Sequence, residues 1–283
     1  MTSKHLKGLL ALLRLPYWLM TGGLSLLTAF AITKGFPTVQ TVALIFFSMA
    51  FITSAGFSIN DYFDRESDAV IKPKRPIPSG ALSLKQVIAI ATVLFAVGLG
   101  FAALINPLSF VILLIDSVVL VIYSAFIKRK SGLAANIMVG LLVGTAFIYG
   151  EATIFQSVSY VSLSLYPICF GTIGGNILRD VLSFEGDSKV GYPTLPQKIG
   201  NKRSIRVAAF FFTLTALLAP LPFFFHFGIY YLILILFWGA LLAYASIRLV
   251  LSAPTIQNVR RYERLVTMSM TLLLLSLIME TVL

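Results

Sequence analysis

Asn60, Asp61, Asp64 and Asp68 lie in SINDYFDRESDAVIKPKRPIPSG, residues 58–80, directly after some twenty largely apolar residues. If the helix continues, steps of three and four residues put all four side chains on one face. Carboxylates one turn apart repel, so such a face gains nothing unless a cation neutralises it. Arg65 and the lysines that follow can do part of this. A hard divalent ion such as Mg²⁺ does it better, because it takes oxygen ligands and completes its shell with water and phosphate oxygens.

A second stretch repeats the pattern. In GGNILRDVLSFEGDSKVGYPTLPQKIG, residues 174–200, Asp180, Ser183 and Asp187 reproduce the three-then-four spacing, with Asn176 a turn earlier and Glu185 alongside. One Asp-rich turn at a membrane surface is ordinarily a solvated loop. Two copies with shared spacing read as a parallel internal repeat, 60–68 and 180–187, whose acidic helix ends are expected to converge on one metal cluster.

Cations accompany the carboxylates: Lys72, Lys74 and Arg75, then Lys128, Arg129 and Lys130, then Arg179 and Lys189. The common tendency of membrane proteins to collect cations in cytoplasmic loops explains any one of these clusters. Arg75 and Lys189, however, share loops with the acidic motifs. Carboxylates for a metal and cations for an anion, in one place, describe a diphosphate site.

Long apolar segments must position these loops. The chain has 283 residues, 58% of them hydrophobic and 12% charged, and a mean hydropathy of +0.92. That composition excludes an ordinary soluble domain and predicts an all-α integral membrane protein. Nine stretches of spanning length are expected near 17–33, 41–60, 86–105, 107–127, 133–151, 159–179, 205–224, 228–250 and 265–283, forming one domain over residues 1–283. Asn106-Pro107 leaves so little chain that the third and fourth spans must form a tight hairpin. With the N terminus in the cytoplasm, Lys34 is the one cation that falls outside. The net charge of +11 follows from this topology and implies no nucleic acid. Residues 4–14 read as a short interfacial helix, with Leu6, Leu9, Leu10 and Leu13 on one face. Cys169 stands alone, so no intrachain disulfide is possible.

Asn60-Asp61-x-x-Asp64-x-x-x-Asp68, the following Arg75-Pro76-Ile77-Pro78-Ser79-Gly80, the acidic 180–187 segment and Gly191 to Gly200 together resemble the UbiA family of intramembrane prenyltransferases. The resemblance covers essentially the whole chain. It implies nine helices around a central cavity with a cytoplasmic cap, and two Mg²⁺ ions bridging the acidic motifs to an allylic prenyl diphosphate. Asn60, Asp64 and Asp68 match its first metal motif, with Asp61 beside them, and Asp187 matches the last aspartate of the second. The family usually has an aspartate where Ser183 stands, which leaves open whether Asp180 or Glu185 supplies the missing ligand or that metal is held more loosely. Lys74, Arg75, Lys128, Arg129 and Lys189, with Tyr123 nearby, match positions expected to hold the diphosphate.

The acceptor is what varies within this family. FEGDSKVGYPTLPQKIG resembles the ether-lipid branch, which implies transfer from geranylgeranyl diphosphate to the lipophilic acceptor geranylgeranylglyceryl phosphate, in a multi-pass cell-membrane protein with its site facing the cytoplasm. An aromatic acceptor such as 4-hydroxybenzoate is the alternative, and a cation-coupled transporter is the rival from another class. Transporter carboxylates usually lie near the bilayer midplane, whereas these cluster at helix ends. Among charges within spans, Glu151 and Glu280 are expected at the outer interface, and Asp116 either pairs with a neighbouring helix or polarises the acceptor.

Overall fold

Asn106 shows how little chain a turn between two spans requires. Its extended backbone (φ −170°, ψ 164°) ends one helix at Ile105, and its side chain accepts from the Ser109 N–H to cap the next, which opens on Pro107. Proline suits that first helical position because its missing N–H would have no partner there.

The computed structural model describes residues 3–283. Among these residues nine helical segments are long and apolar enough to cross a membrane, from Lys4–Thr33 to Ile256–Val282, and no strand forms. Each expected span overlaps one of them. The ninth begins at Ile256 rather than 265, because the Thr255 side chain accepts from the Asn258 N–H and starts the helix earlier. In Leu84–Ile105 and Pro107–Lys130 only 17% and 22% of the apolar window is buried. Val93, Leu104, Ile115 and Val118 point outward, and an apolar surface of this extent requires hydrocarbon around it.

The chain forms two compact units, the first running up to Leu26 and over Pro37–Lys128, the second comprising Leu27–Phe36 and Arg129–Leu283. The first contains α1 (Ser3–Leu13), the start of α2 (Pro16–Thr33), α3 (Val39–Phe63), α4 (Arg65–Ile71), α5 (Leu84–Ile105) and α6 (Pro107–Ile122). Small residues let these helices approach closely. A methyl group at Gly56 would meet the Leu120 side chain at 2.8 Å, and one at Gly22 would meet the Phe46 carbonyl at 2.7 Å. In α1 the inward residue is Leu12, packed with Leu82 and Val87. Leu6 and Leu10 point outward, as the apolar face of an interfacial helix does.

After α7 (Lys128–Lys130), at whose start the first unit ends, the second unit runs through α8 (Gly132–Phe155), α9 (Tyr160–Leu165), α10 (Cys169–Leu182), α11 (Phe184–Lys189), α12 (Leu195–Ile199) and α13 (Asn201–Leu218) to α14 (Ile229–Leu251) and α15 (Ile256–Val282). Its two span glutamates lie near the ends of their helices and are buried. Glu151 accepts from the Ser159 N–H at 2.9 Å and from the hydroxyls of Ser159 and Ser162. Glu280 pairs with Lys34 at 3.0 Å and accepts from the Gly228 N–H at 2.8 Å. Both carboxylates satisfy helix and turn donors that would otherwise lie unpaired in apolar surroundings. Asp116 is buried within α6.

At Gly132 α8 begins against the chain that follows the second acidic motif. Its N–H donates to the Pro193 carbonyl at 2.8 Å. A Cβ there would lie 2.6 Å from Thr194 Cα and 2.9 Å from the Pro193 oxygen, both backbone atoms. Gly132→Ala is therefore expected to cost about 1–3 kcal/mol, measured as a lower thermal midpoint in detergent.

Candidate active site

Asp64 sits where α3 hands over to α4, with φ −84° and ψ −1°. The helical hydrogen bonds nevertheless run through this junction. Asp64 N–H reaches the Asn60 oxygen at 2.9 Å, and Asp68 N–H and Lys72 N–H reach the Asp64 and Asp68 oxygens at 2.8 Å each. The expected spacing is thus kept, and Asp61, Asp64 and Asp68 are only 3%, 3% and 5% exposed. Carboxylates so buried require charged partners.

The partners come from elsewhere than expected. Arg65 turns away to Glu66 and lies over the Tyr62 ring. Arg75 Nη1 donates to Asp61 Oδ1 at 2.9 Å and to Asp68 Oδ2 at 2.5 Å. Arg14 Nη2 donates to the same Asp61 oxygen at 2.6 Å. Lys128 pairs with Asp64 Oδ2 and reaches Asn60 Oδ1 at 3.4 Å, while Asn60 Nδ2 donates to Asp64 at 2.8 Å. Lys128 follows directly on a π-helical turn, Tyr123–Ile127, that interrupts the fourth span. Such turns shift the helix register by one residue and recur at functional sites. Tyr123, the first residue of that turn, is half-buried. Desolvation of the Lys72 ammonium, then the nearby Arg75, pulls it below the usual lysine value, with Asp68 opposing.

Ser183 reproduces the junction of Asp64 in the second motif. It separates α10 from α11 with φ −98° and ψ 5°, and its N–H reaches the Arg179 oxygen at 2.9 Å while Asp187 N–H reaches the Ser183 oxygen at 3.0 Å. The two stretches that share spacing thus also share the backbone geometry of this junction. Ser183 Oγ donates to Asp187 Oδ2 at 2.5 Å, and Asn136 of α8 donates to Asp180 Oδ2 at 2.7 Å. Asp180 and Asp187 are half-buried, whereas Glu185 and Lys189 are exposed, as are Lys74 and Arg129. Arg179 turns to Asn176 and Glu263.

Two contributors are absent from the sequence-derived set. Arg14 gave a faint signal, a cation standing off the leucine face of α1 beside Leu15-Pro16. Asn136 gave none, since its partner is 44 residues away.

The donors at both motifs are carboxylate, amide and hydroxyl oxygens, a set that suits Mg²⁺. Among the described residues no group of three or more Asp, Glu, His or Cys side chains is placed to hold a metal ion.

Residues 19–273 match the UbiA prenyltransferase family. The chain belongs to that family. UbiA membership makes it an intramembrane prenyltransferase and a multi-pass membrane protein, and it sets aside the transporter reading. The match runs through both compact units. Over 220 residues the chain is 36% identical to the digeranylgeranylglyceryl phosphate synthase of Natronomonas pharaonis, covering 78% of this chain and 79% of that one. A solved digeranylgeranylglyceryl phosphate synthase superposes with a TM-score of 0.83 at 29% identity, over 98% of this chain and 99% of the other. A UbiA homologue from Archaeoglobus fulgidus, solved with GPP and Mg²⁺, shares the fold, with a TM-score of 0.68 at 21% identity over 97% and 99% of the two chains.

Proposed function

We propose that this UbiA protein transfers a geranylgeranyl group from geranylgeranyl diphosphate to the free hydroxyl of geranylgeranylglyceryl phosphate, in a Mg²⁺-dependent reaction at the cytoplasmic face of the cell membrane. The observation that carries the acceptor is the 36% identity to a digeranylgeranylglyceryl phosphate synthase across nearly four-fifths of both chains. The Mg²⁺ and allylic diphosphate are supported by the A. fulgidus homologue's bound GPP and Mg²⁺ and by the all-oxygen donor sets here. The cytoplasmic orientation rests on the asymmetry of Lys and Arg among the loops.

In this reading Asn60, Asp64 and Asp68 of the first motif, and Asp180 and Asp187 of the second with Glu185 alongside in sequence, would hold the Mg²⁺ ions. When bound, the ions supply Lewis-acid stabilisation to the departing diphosphate. Arg75 and Lys128 already lie on the first-motif carboxylates. They move onto the phosphate oxygens as the diphosphate arrives, and Lys74, Arg129, Lys189 and Tyr123 complete its surroundings. Cleavage of the allylic C–O bond releases diphosphate and leaves a delocalised carbocation, which the acceptor hydroxyl oxygen attacks while its proton passes to the released diphosphate. Charge on the leaving group is met by guanidinium and ammonium donors placed beforehand. The apolar spans keep water from the carbocation.

The test is product formation by purified protein in detergent with Mg²⁺ and labelled geranylgeranyl diphosphate. Geranylgeranylglyceryl phosphate is offered in one tube and 4-hydroxybenzoate in another. Product in the first alone is expected. Product in the second alone would replace the ether-lipid acceptor with an aromatic one, and EDTA-resistant transfer would remove the metal.

A further inference from the structure

Arg14 occupies a backbone conformation that favours glycine, φ +50°, in the turn between α1 and α2. Its guanidinium lies 4.3 Å over the Phe57 ring and binds Asp61 Oδ1 at 2.6 Å. That same oxygen takes Arg75 at 2.9 Å, and Arg75 in turn takes Asp68 at 2.5 Å. Two buried carboxylates and two arginines thus form a neutral chain, Arg14–Asp61–Arg75–Asp68, closed at the Asp61 end by Arg14.

We propose that Arg14 is a positioning residue that keeps Arg75 available to the diphosphate, and that Asp61 serves as an anchor for arginines rather than as a metal ligand. The inference rests on the diphosphate reading above. Asp61 is 3% exposed and cannot go without a counter-charge. With Arg14 present, that charge stays balanced when Arg75 leaves for a phosphate. Without Arg14, Asp61 would hold Arg75 as its sole partner, and the diphosphate would have to compete for it. Asp61 lies on the motif's face by its spacing, but its observed bonds run to the arginines of the α1–α2 turn and the 72–80 loop.

The experiment is equilibrium binding of labelled geranylgeranyl diphosphate with Mg²⁺ to the full chain in detergent, with the thermal midpoint recorded for each variant. Arg14→Gly removes the side chain while easing the left-handed backbone, so the protein is expected to stay folded. Binding should weaken by roughly tenfold, as expected when one partner of a partly buried charge pair is lost. Arg14→Lys should recover part of it. The double variant Arg14→Gly/Asp61→Asn should recover most of it, because removing the Asp61 charge frees Arg75 again. A purely structural role for Arg14 would lower the thermal midpoint while leaving the affinity of the folded fraction at the parental value. Parental affinity in Arg14→Gly, or a double variant as weak as Arg14→Gly alone, would overturn the proposal. Absence of binding by the parent protein would overturn the diphosphate reading and this inference with it.

Discussion

Replacing Asp64 with alanine is expected to lower prenyl transfer by about 10³-fold or more, the scale lost when a preorganised charge at a transition state is removed. Three features single this residue out. It is 3% exposed, its Oδ2 takes both the Asn60 amide and Lys128, and it stands at the α3–α4 junction on which the spacing of the whole motif turns. Asp64→Asn keeps the shape but not the charge, so it should fail equally. The fold should survive, because Lys128 keeps 26% of its side chain exposed and can turn to water. A stability loss of about 1–3 kcal/mol is expected from the broken pair. Single-turnover transfer from labelled geranylgeranyl diphosphate, with a thermal midpoint from the same sample, separates the two effects. Asp187→Ala should follow in the same direction by about 10²-fold, since its carboxylate is half-buried and, among the described residues, accepts its side-chain hydrogen bond from Ser183. Retained transfer in both variants would sink the metal assignment.

The sequence made the motif spacing and the spans legible for the same reason: both are local. Helical geometry converts steps of three and four residues into one face without reference to the rest of the chain, and nineteen or so apolar residues commit a segment to hydrocarbon wherever it lies. The spacing of Asn60, Asp64 and Asp68 survives in the structure on these grounds, and Ser183 stands at a junction with dihedrals close to those of Asp64. Partners were legible only where they lay close by. The nearest cation, Arg65, was a reasonable candidate, yet the i+1 neighbour Glu66 captures it. Arg14 comes from 47 residues away and Lys128 from 64. No periodicity encodes such pairings, because they depend on how helices pack. The π-helical turn that precedes Lys128 was equally hidden, since YSAFI is unremarkable as helix. Long-range polar pairing is also what the expectation for Glu151 and Glu280 lacked. Position near a span end gives no hint that each carboxylate satisfies donors that the fold brings to it.

Glu151 is where that lesson predicts the largest loss of stability. The residue is 3% exposed near the end of α8, and it accepts from the Ser159 N–H at 2.9 Å and from the Ser159 and Ser162 hydroxyls. Ser159 in turn caps α9 by accepting from the Val161 N–H at 3.1 Å. One carboxylate thus holds the turn by which the fifth span reverses into the sixth. Glu151→Ala removes three acceptor interactions at once and leaves a backbone N–H and two hydroxyls to find partners in an apolar setting. Hydrogen bonds to a charged group are each worth about 1.5–3 kcal/mol, and donors orphaned by burial add to the cost. A net loss of about 3–5 kcal/mol is expected, because the loosened turn will admit some water. Glu151→Gln keeps one good acceptor oxygen and should lose about half as much. Thermal midpoints in detergent would rank parent, Gln and Ala in that order. The folded fraction should retain its transfer rate, because the hydrogen bonds of Glu151 all go to the 159–162 turn. Equal midpoints for all three proteins would mean that this turn is held by packing, with the carboxylate a bystander.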